Sequence, residues 1–105
     1  MDQALGPWDG LLCPVSATPA FTHRPPRTAI DIDGRQVPYL LASSAYTMPF
    51  ALTGHPAVVI PIGQTQTSLP IGMQIVGKRW REMELLAIAQ EIDHRVGDFQ
   101  LPSGY

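Results

Sequence analysis

Between Ala51 and Val76 the chain reads ALTGHPAVVIPIGQTQTSLPIGMQIV, a succession of stop signals and apolar runs that admits few backbones. Thr53-Gly54-His55-Pro56 predicts a helix end, because Gly54 tolerates the left-handed conformation that closes a helix and Pro56 cannot continue one. Ala57 to Ile60 follows as a continuous run rich in β-branched residues. With no polar alternation, it predicts a strand covered on both faces. Pro61 and Gly63 are expected to end it. After a polar loop from Gln64 to Pro70, Ile71, Met73 and Ile75 alternate with Gly72 and Gln74, the period of two that a strand requires. The two strands should pair antiparallel across that loop.

The flanks build around this hairpin. Asp9 to Val15 is an apolar run too short for an independent helix, and it reads as a third, central strand. From Ser16 to Pro38 the chain places Pro19, Pro25, Pro26 and Pro38, four of its eleven prolines. Fixed torsions and lost donors at that density predict an irregular excursion, with a small local hairpin over Ile30 to Arg35 turning at Asp33-Gly34. Pro38 suits a first helical turn, and Tyr39, Leu40, Leu41, Ala42, Ala45 and Tyr46 supply apolar surface at helical spacing. Pro49 clashes with the preceding turn, so two short helices should meet near Met48. They would form a crossover between the first strand and the Ala57 strand, right-handed if those strands are parallel. Arg81 to Val96 reads as an amphipathic helix with Leu85, Ile88, Ala89, Ile92 and Val96 on one face, and Glu84, Gln90, Glu91, Asp93 and Arg95 away from it. Acidic residues begin it, His94 and Arg95 end it, and Gly97 is available as cap. Phe99 to Tyr105 is expected as a surface tail.

Composition bounds the function. A chain of 105 residues with 45% hydrophobic side chains has material for one domain, and two are not expected. The net charge of −2 and the lack of a Lys/Arg cluster exclude the basic footprint of a nucleic-acid binder. The single cysteine, Cys13, can form no internal disulfide and reads as a buried, inert thiol. The opening MDQALGPWDG lacks a positive segment followed by an apolar core, and no apolar run approaches the roughly 20 residues that span a bilayer. A soluble cytoplasmic protein with no membrane partner is expected.

TGHPAVVIPIG, then LPIGMQIVG and a helix containing glutamates, preceded by LLCPVSATPAF, IDIDGR and the Tyr39 helix and followed by VGDFQLPSGY, resembles the C-terminal portion of the amidase signature family. The likeness covers nearly the whole chain. It implies the C-terminal part of that family's mixed-sheet α/β fold, about three main strands with covering helices. It also implies an intact enzyme that hydrolyses carboxylic amides through an acyl-serine intermediate, with no metal or organic cofactor. In the family a lysine acts as base, a bridging serine is held in a cis peptide, and the nucleophilic serine lies in a loop rich in glycine and serine. A hydroxyl needs such a base before it can attack, and neither that loop nor a lysine preceding it is found here. Lys78, the only lysine, follows the Met73 strand, so the catalytic role is not carried over to it, and no catalytic residue is assigned.

Other candidates are weaker than their structural readings. Ser43-Ser44 lies in a predicted helix without a glycine to open an oxyanion site, and a helix serine bonding its own backbone explains it better. The resemblance does imply that residues shortly before Pro49 lie near substrate, which makes Ser43, Ser44 and Thr47 candidates for the pocket wall. His23, His55 and His94 have no metal-ligand spacing, and His55 stands where the family motif often carries an apolar residue. Asp31 and Asp33 read as a solvated turn, and Met73 and Trp80 as core. The chain is thus expected to be an amidase segment, inactive alone, whose partner is the N-terminal amidase portion or a second copy of itself. The alternative is a non-catalytic structural or interaction module that self-associates.

Overall fold

Nine elements, of which the first helix has no counterpart in the sequence reading, are found in a computed structural model that describes residues 1–97, 99–101 and 104. In order they are α1 (Asp2–Leu5), β1 (Leu11–Pro14), β2 (Ile30–Ile32), β3 (Arg35–Val37), α2 (Tyr39–Ser44), α3 (Met48–Thr53), β4 (Ala57–Gln64), β5 (Pro70–Val76) and α4 (Glu82–Val96). The main sheet has the order β1-β5-β4, and β2 and β3 form a separate two-stranded hairpin. Both pairings in the main sheet are antiparallel, so β1 and β4 run parallel with β5 between them. β5, not β1, is therefore the central strand, because the β4–β5 hairpin leaves the far edge of β5 free to take β1. The expected short hairpin turns at Asp33 and Gly34, both with positive φ, and Asp31 accepts bonds from the Gly34 N–H and the Gln36 amide.

Pro49 divides the helical segment as expected. It sits in the first turn of α3, and that helix closes at Gly54 with φ 67°, a conformation that costs an L-residue what it spares glycine. β4 outlasts its expected end. Pro61 pairs with Gly72, and the register slips by one residue before Gly63 pairs with Ile71. The proline and glycine thus make a β-bulge instead of a stop.

One face of the sheet is covered by α4, whose Leu85 and Ala89 pack with Ile60 and Ile75 while Val58, Met73, Ile88 and Ile92 lie against them. Gly77 permits this approach, since a Cβ there would stand 3.1 Å from that of Leu85. Three expectations fail at the margins of α4. Val96 is 44% exposed, because the last turn extends beyond the side chains that cover Leu85 and Ala89. Trp80 is 89% exposed, four residues past the end of β5 in a turn where its φ is 64°. Asp93, assigned to the wet face, is half-buried, with an Oδ1 that has no partner among the described residues.

The opposite face differs more from expectation. Val59 is 51% exposed, so β4 is covered on one face only. An aliphatic run signals a strand that wants two covers; on this second face the chain buries Gln74 and Val76 of β5 but leaves Val59 of β4 open. Leu40, Leu41 and Leu52 are also open to solvent. The accessible surface is 7958 Å², against about 5,800 Å² for a globular monomer of this mass. The radius of gyration is 15.5 Å, where about 13 Å is usual for this length. No described helix is long and apolar enough to cross a membrane. Of the expected surface tail, Pro102, Ser103 and Tyr105 lie outside the described residues, and Phe99 and Leu101 are exposed.

Candidate functional site

The residues before Pro49 are held by α2 and the turn behind it. The β2–β3 hairpin seats Ile30 and α2 contributes Ala42, both fully buried. The proline-rich excursion rests on α2 through Phe21, which meets Tyr39 edge to face with ring centres 6.0 Å apart. At the C-terminal end of α2, the Ala42 carbonyl accepts both the Ser16 hydroxyl and the Ala17 N–H, tying the exit of β1 to the helix.

This frame brings Ser43, Ser44 and Thr47 together. Ser43 Oγ donates to the Tyr39 carbonyl at 2.9 Å and stands 3.2 Å from Ser44 Oγ. Thr47 Oγ1 donates to the Ser44 carbonyl at 3.3 Å. These are the back-bonds a helix offers its own hydroxyls, and none of the three bonds a described imidazole or amine. Lys78 Nζ, the only lysine, donates to the Gly6 carbonyl at 3.4 Å. Two concavities lie elsewhere. One of about 350 Å³ is lined by Val15, Ser16, Thr18, Ile62 and Gly72. A second of about 230 Å³ runs between Ile62, Gln64, Val96 and Phe99. Neither is lined by Ser43, Ser44 or Thr47.

Two polar groups escape a reading of the sequence. Gln74, which alternation places opposite the core face, is buried and donates to the Tyr46 carbonyl at 3.0 Å and to Cys13 Sγ at 3.1 Å. Cys13 is half-buried and acts here as an acceptor. His55, whose side chain is 1% exposed, joins Thr53 Oγ1 at 2.9 Å through Nδ1 and Asp2 Oδ1 at 3.0 Å through Nε2. No periodicity reports a contact between residues 2 and 55. The Gly-His-Pro signal locates the histidine but not its partner.

A hydroxyl, an imidazole and a carboxylate in a chain invite comparison with a nucleophile and its base, but the surroundings do not complete one. Thr53 Oγ1 also lies 3.0 Å from the Pro49 carbonyl. The nearby amides of Gly54 and His55 are already given to Ala51 and Phe50, so neither is free to hold an oxyanion. The group is a clamp that holds α1 to the elbow between α3 and β4. Arg79 completes it by pairing with the second oxygen of Asp2. That guanidinium first, and His55 after it, hold the Asp2 carboxyl below its ordinary value.

A depressed carboxylate contributes stability above its ordinary pKa and loses it as the pH falls through the lowered value. Asp2→Asn is therefore expected to flatten the acid limb of stability, with its melting temperature approaching that of the wild type as Asp2 is protonated. Melts recorded from neutral to acid pH check this, and parallel curves throughout would contradict it. Among the described residues, no three His, Cys, Asp or Glu side chains gather as a metal site.

With the geometry in place, the likeness to known proteins can be read. The Amidase family matches residues 1–86. The 6-aminohexanoate-cyclic-dimer hydrolase of Paenarthrobacter ureafaciens is 35% identical over 91 residues, 82% of this chain and 18% of that protein. A glutamyl-tRNA(Gln) amidotransferase subunit of Bartonella bacilliformis is 32% identical over 91 residues, covering 87% of this chain and 17% of its own length. A crystal structure of an amidase superposes with a TM-score of 0.75 at 27% identity, over 85% of this chain and 20% of the other. The chain thus spans less than a fifth of the length of these curated relatives. With residues 1–86 matched by the family and most of the chain superposing on an amidase, this chain belongs to the amidase family, as a segment of the family's fold.

Proposed function

We propose that the chain is a C-terminal scaffold segment of an enzyme that hydrolyses carboxylic amide C–N bonds, and that it is inactive by itself. In the intact enzyme the lysine, bridging serine and nucleophilic serine would come from the rest of the polypeptide. This chain would supply sheet, covering helix and, through Ser43, Ser44 and Thr47, part of the pocket wall. The observation that carries the reading is the family match over residues 1–86 in a chain whose paired serines spend their hydroxyls inside α2. No single substrate is assigned, because the relatives' names point to different amide chemistries. No cofactor is invoked, and the cytoplasm is the compartment proposed.

Reading the gene upstream of the Met1 codon tests this. An in-frame loop rich in glycine and serine, preceded by a lysine codon, supports the segment. A ribosome-binding sequence directly before Met1, with no such frame, would overturn it in favour of a non-catalytic interaction module.

A further inference from the structure

The polar ties around the end of α2 follow from the proline beyond it. An unbroken helix would satisfy each carbonyl from the N–H four residues on, but Pro49 has none to give and α2 stops at Ser44. The carbonyls between α2 and α3 take other partners. Ala42 receives the Ser16 hydroxyl and the Ala17 N–H, and Ser44 receives the N–H and the hydroxyl of Thr47. The carbonyl of Tyr46 receives no backbone N–H from the described residues. Its donor is the side-chain amide of Gln74, at 3.0 Å.

We infer that Gln74 is a positioning residue for the pocket wall, holding from the central strand the peptide group that leads into Thr47. A peptide group is planar, so the Tyr46 carbonyl and the Thr47 N–H turn together. Gln74 holds one end of that plane and the Ser44 carbonyl holds the other. Ser43, Ser44 and Thr47 therefore lie between two carbonyls tied to the sheet, that of Ala42 at the exit of β1 and that of Tyr46 on β5. The brace is itself fixed. Gln74 is 3% exposed, its backbone pairs with Cys13 on one side and Val59 on the other, and its amide also donates to Cys13 Sγ at 3.1 Å. With both amide hydrogens given away, the side chain is held in one orientation, its nitrogen aimed at the turn. Deprived of that donor, the Tyr46 carbonyl would rotate toward another, and Thr47 would rotate with it. This role of Gln74 rests on the reading above that Ser43, Ser44 and Thr47 wall an amidase pocket.

Residue-resolved amide exchange of the full chain, followed by nuclear magnetic resonance, is the test. In the wild type the side-chain amide of Gln74 and the N–H of Thr47 are expected to be protected. Gln74→Met keeps a chain of similar length without a donor. It is expected to lower the protection of Thr47 by at least about tenfold more than that of Ile75 and Ala89 in the core, because a lost tie opens the turn locally and not the whole chain. Gln74→Glu supplies the rescue. At acid pH its protonated carboxyl can donate again, so the excess loss at Thr47 should shrink there, whereas in Gln74→Met it should persist. Free exchange of the Gln74 amide or the Thr47 N–H in the wild type would overturn the proposal without any variant having to fold. Equal losses at Thr47, Ile75 and Ala89, or an excess loss in Gln74→Glu that ignores pH, would overturn it as well and leave Gln74 a core residue only. A gene that encodes no amidase upstream would strike the pocket and leave these exchange rates unchanged, so the two failures are distinguishable.

Discussion

Ile75→Ala is expected to lower the free energy of unfolding by about 2–5 kcal/mol, the range for truncating a branched side chain in a closed core. Ile75 is 0% exposed and lies on the central strand, paired with Leu12 on one side and Val58 on the other. Leu85 and Ala89 close over it from α4. With neighbours on both strands and the helix, the site cannot collapse around the lost carbons, and the cavity adds to the lost transfer energy. Ile60→Ala should fall in the same range, and Ile88→Ala nearer its lower end because Ile88 is only half-buried. Gln90→Ala, exposed on the far side of α4, should cost under about 0.5 kcal/mol. A chain this small has about 5–15 kcal/mol in total, so the Ile75 variant removes a large share of it. Urea midpoints measure the series, and equal shifts for Ile75→Ala and Gln90→Ala would mean the covering face of α4 is misassigned.

Gln74→Glu should be comparably damaging at neutral pH, by about 3–5 kcal/mol, the cost of leaving a buried charge uncompensated. The amide of Gln74 donates to Cys13 Sγ and to the Tyr46 carbonyl, and the carbonyl, an acceptor only, would repel a carboxylate. Burial raises the pKa of the introduced carboxyl. The penalty is therefore greatest above that raised value and shrinks as the pH falls, when the protonated group can again donate to the carbonyl. Gln74→Leu lacks this pH dependence, and leaving the Tyr46 carbonyl unpaired should cost about 1–3 kcal/mol. Stability curves of the two variants from neutral to acid pH separate the effects. A Glu variant no less stable than the Leu variant at neutral pH would show that Gln74 is solvated.

What the sequence makes legible is local. Gly54 and Pro56 end α3, Pro49 divides two helices, Asp33-Gly34 turns the small hairpin, and the three-and-four spacing from Leu85 to Ile92 finds the face of α4. Each of these rests on torsions or spacing within a few residues. Strand order is not legible in the same way. The hydrophobicity of β1 says that it is buried somewhere, not that it lies beyond β5 instead of between β4 and β5. Pro61 reads as a terminator because a proline's missing donor looks the same from sequence at a bulge as at a strand end.

The candidate site divides along the same line. The helical back-bonding of Ser43 can be read from its neighbours, because Tyr39 is one turn away. The pairing of His55 with Asp2 and the burial of Gln74 cannot, because their partners are 53 and 28 or more residues distant. The exposure of Val59 is the most informative departure. Its sequence context asks for cover on both faces, and at β4 the chain provides it on one, which is what a piece of a larger sheet looks like when read alone.

Amide turnover by the purified chain tests most directly whether the catalytic set lies outside it. Incubation with a panel of aryl and alkyl amides should release no ammonia or amine above the blank, because the Ser43 and Ser44 hydroxyls are bonded within α2 and, among the described residues, no basic side chain bonds either of them. The Ser43→Ala, Ser44→Ala double variant should be indistinguishable from the wild type. Turnover that persists through purification and disappears in the double variant would contradict this, and would put the nucleophile inside these 105 residues.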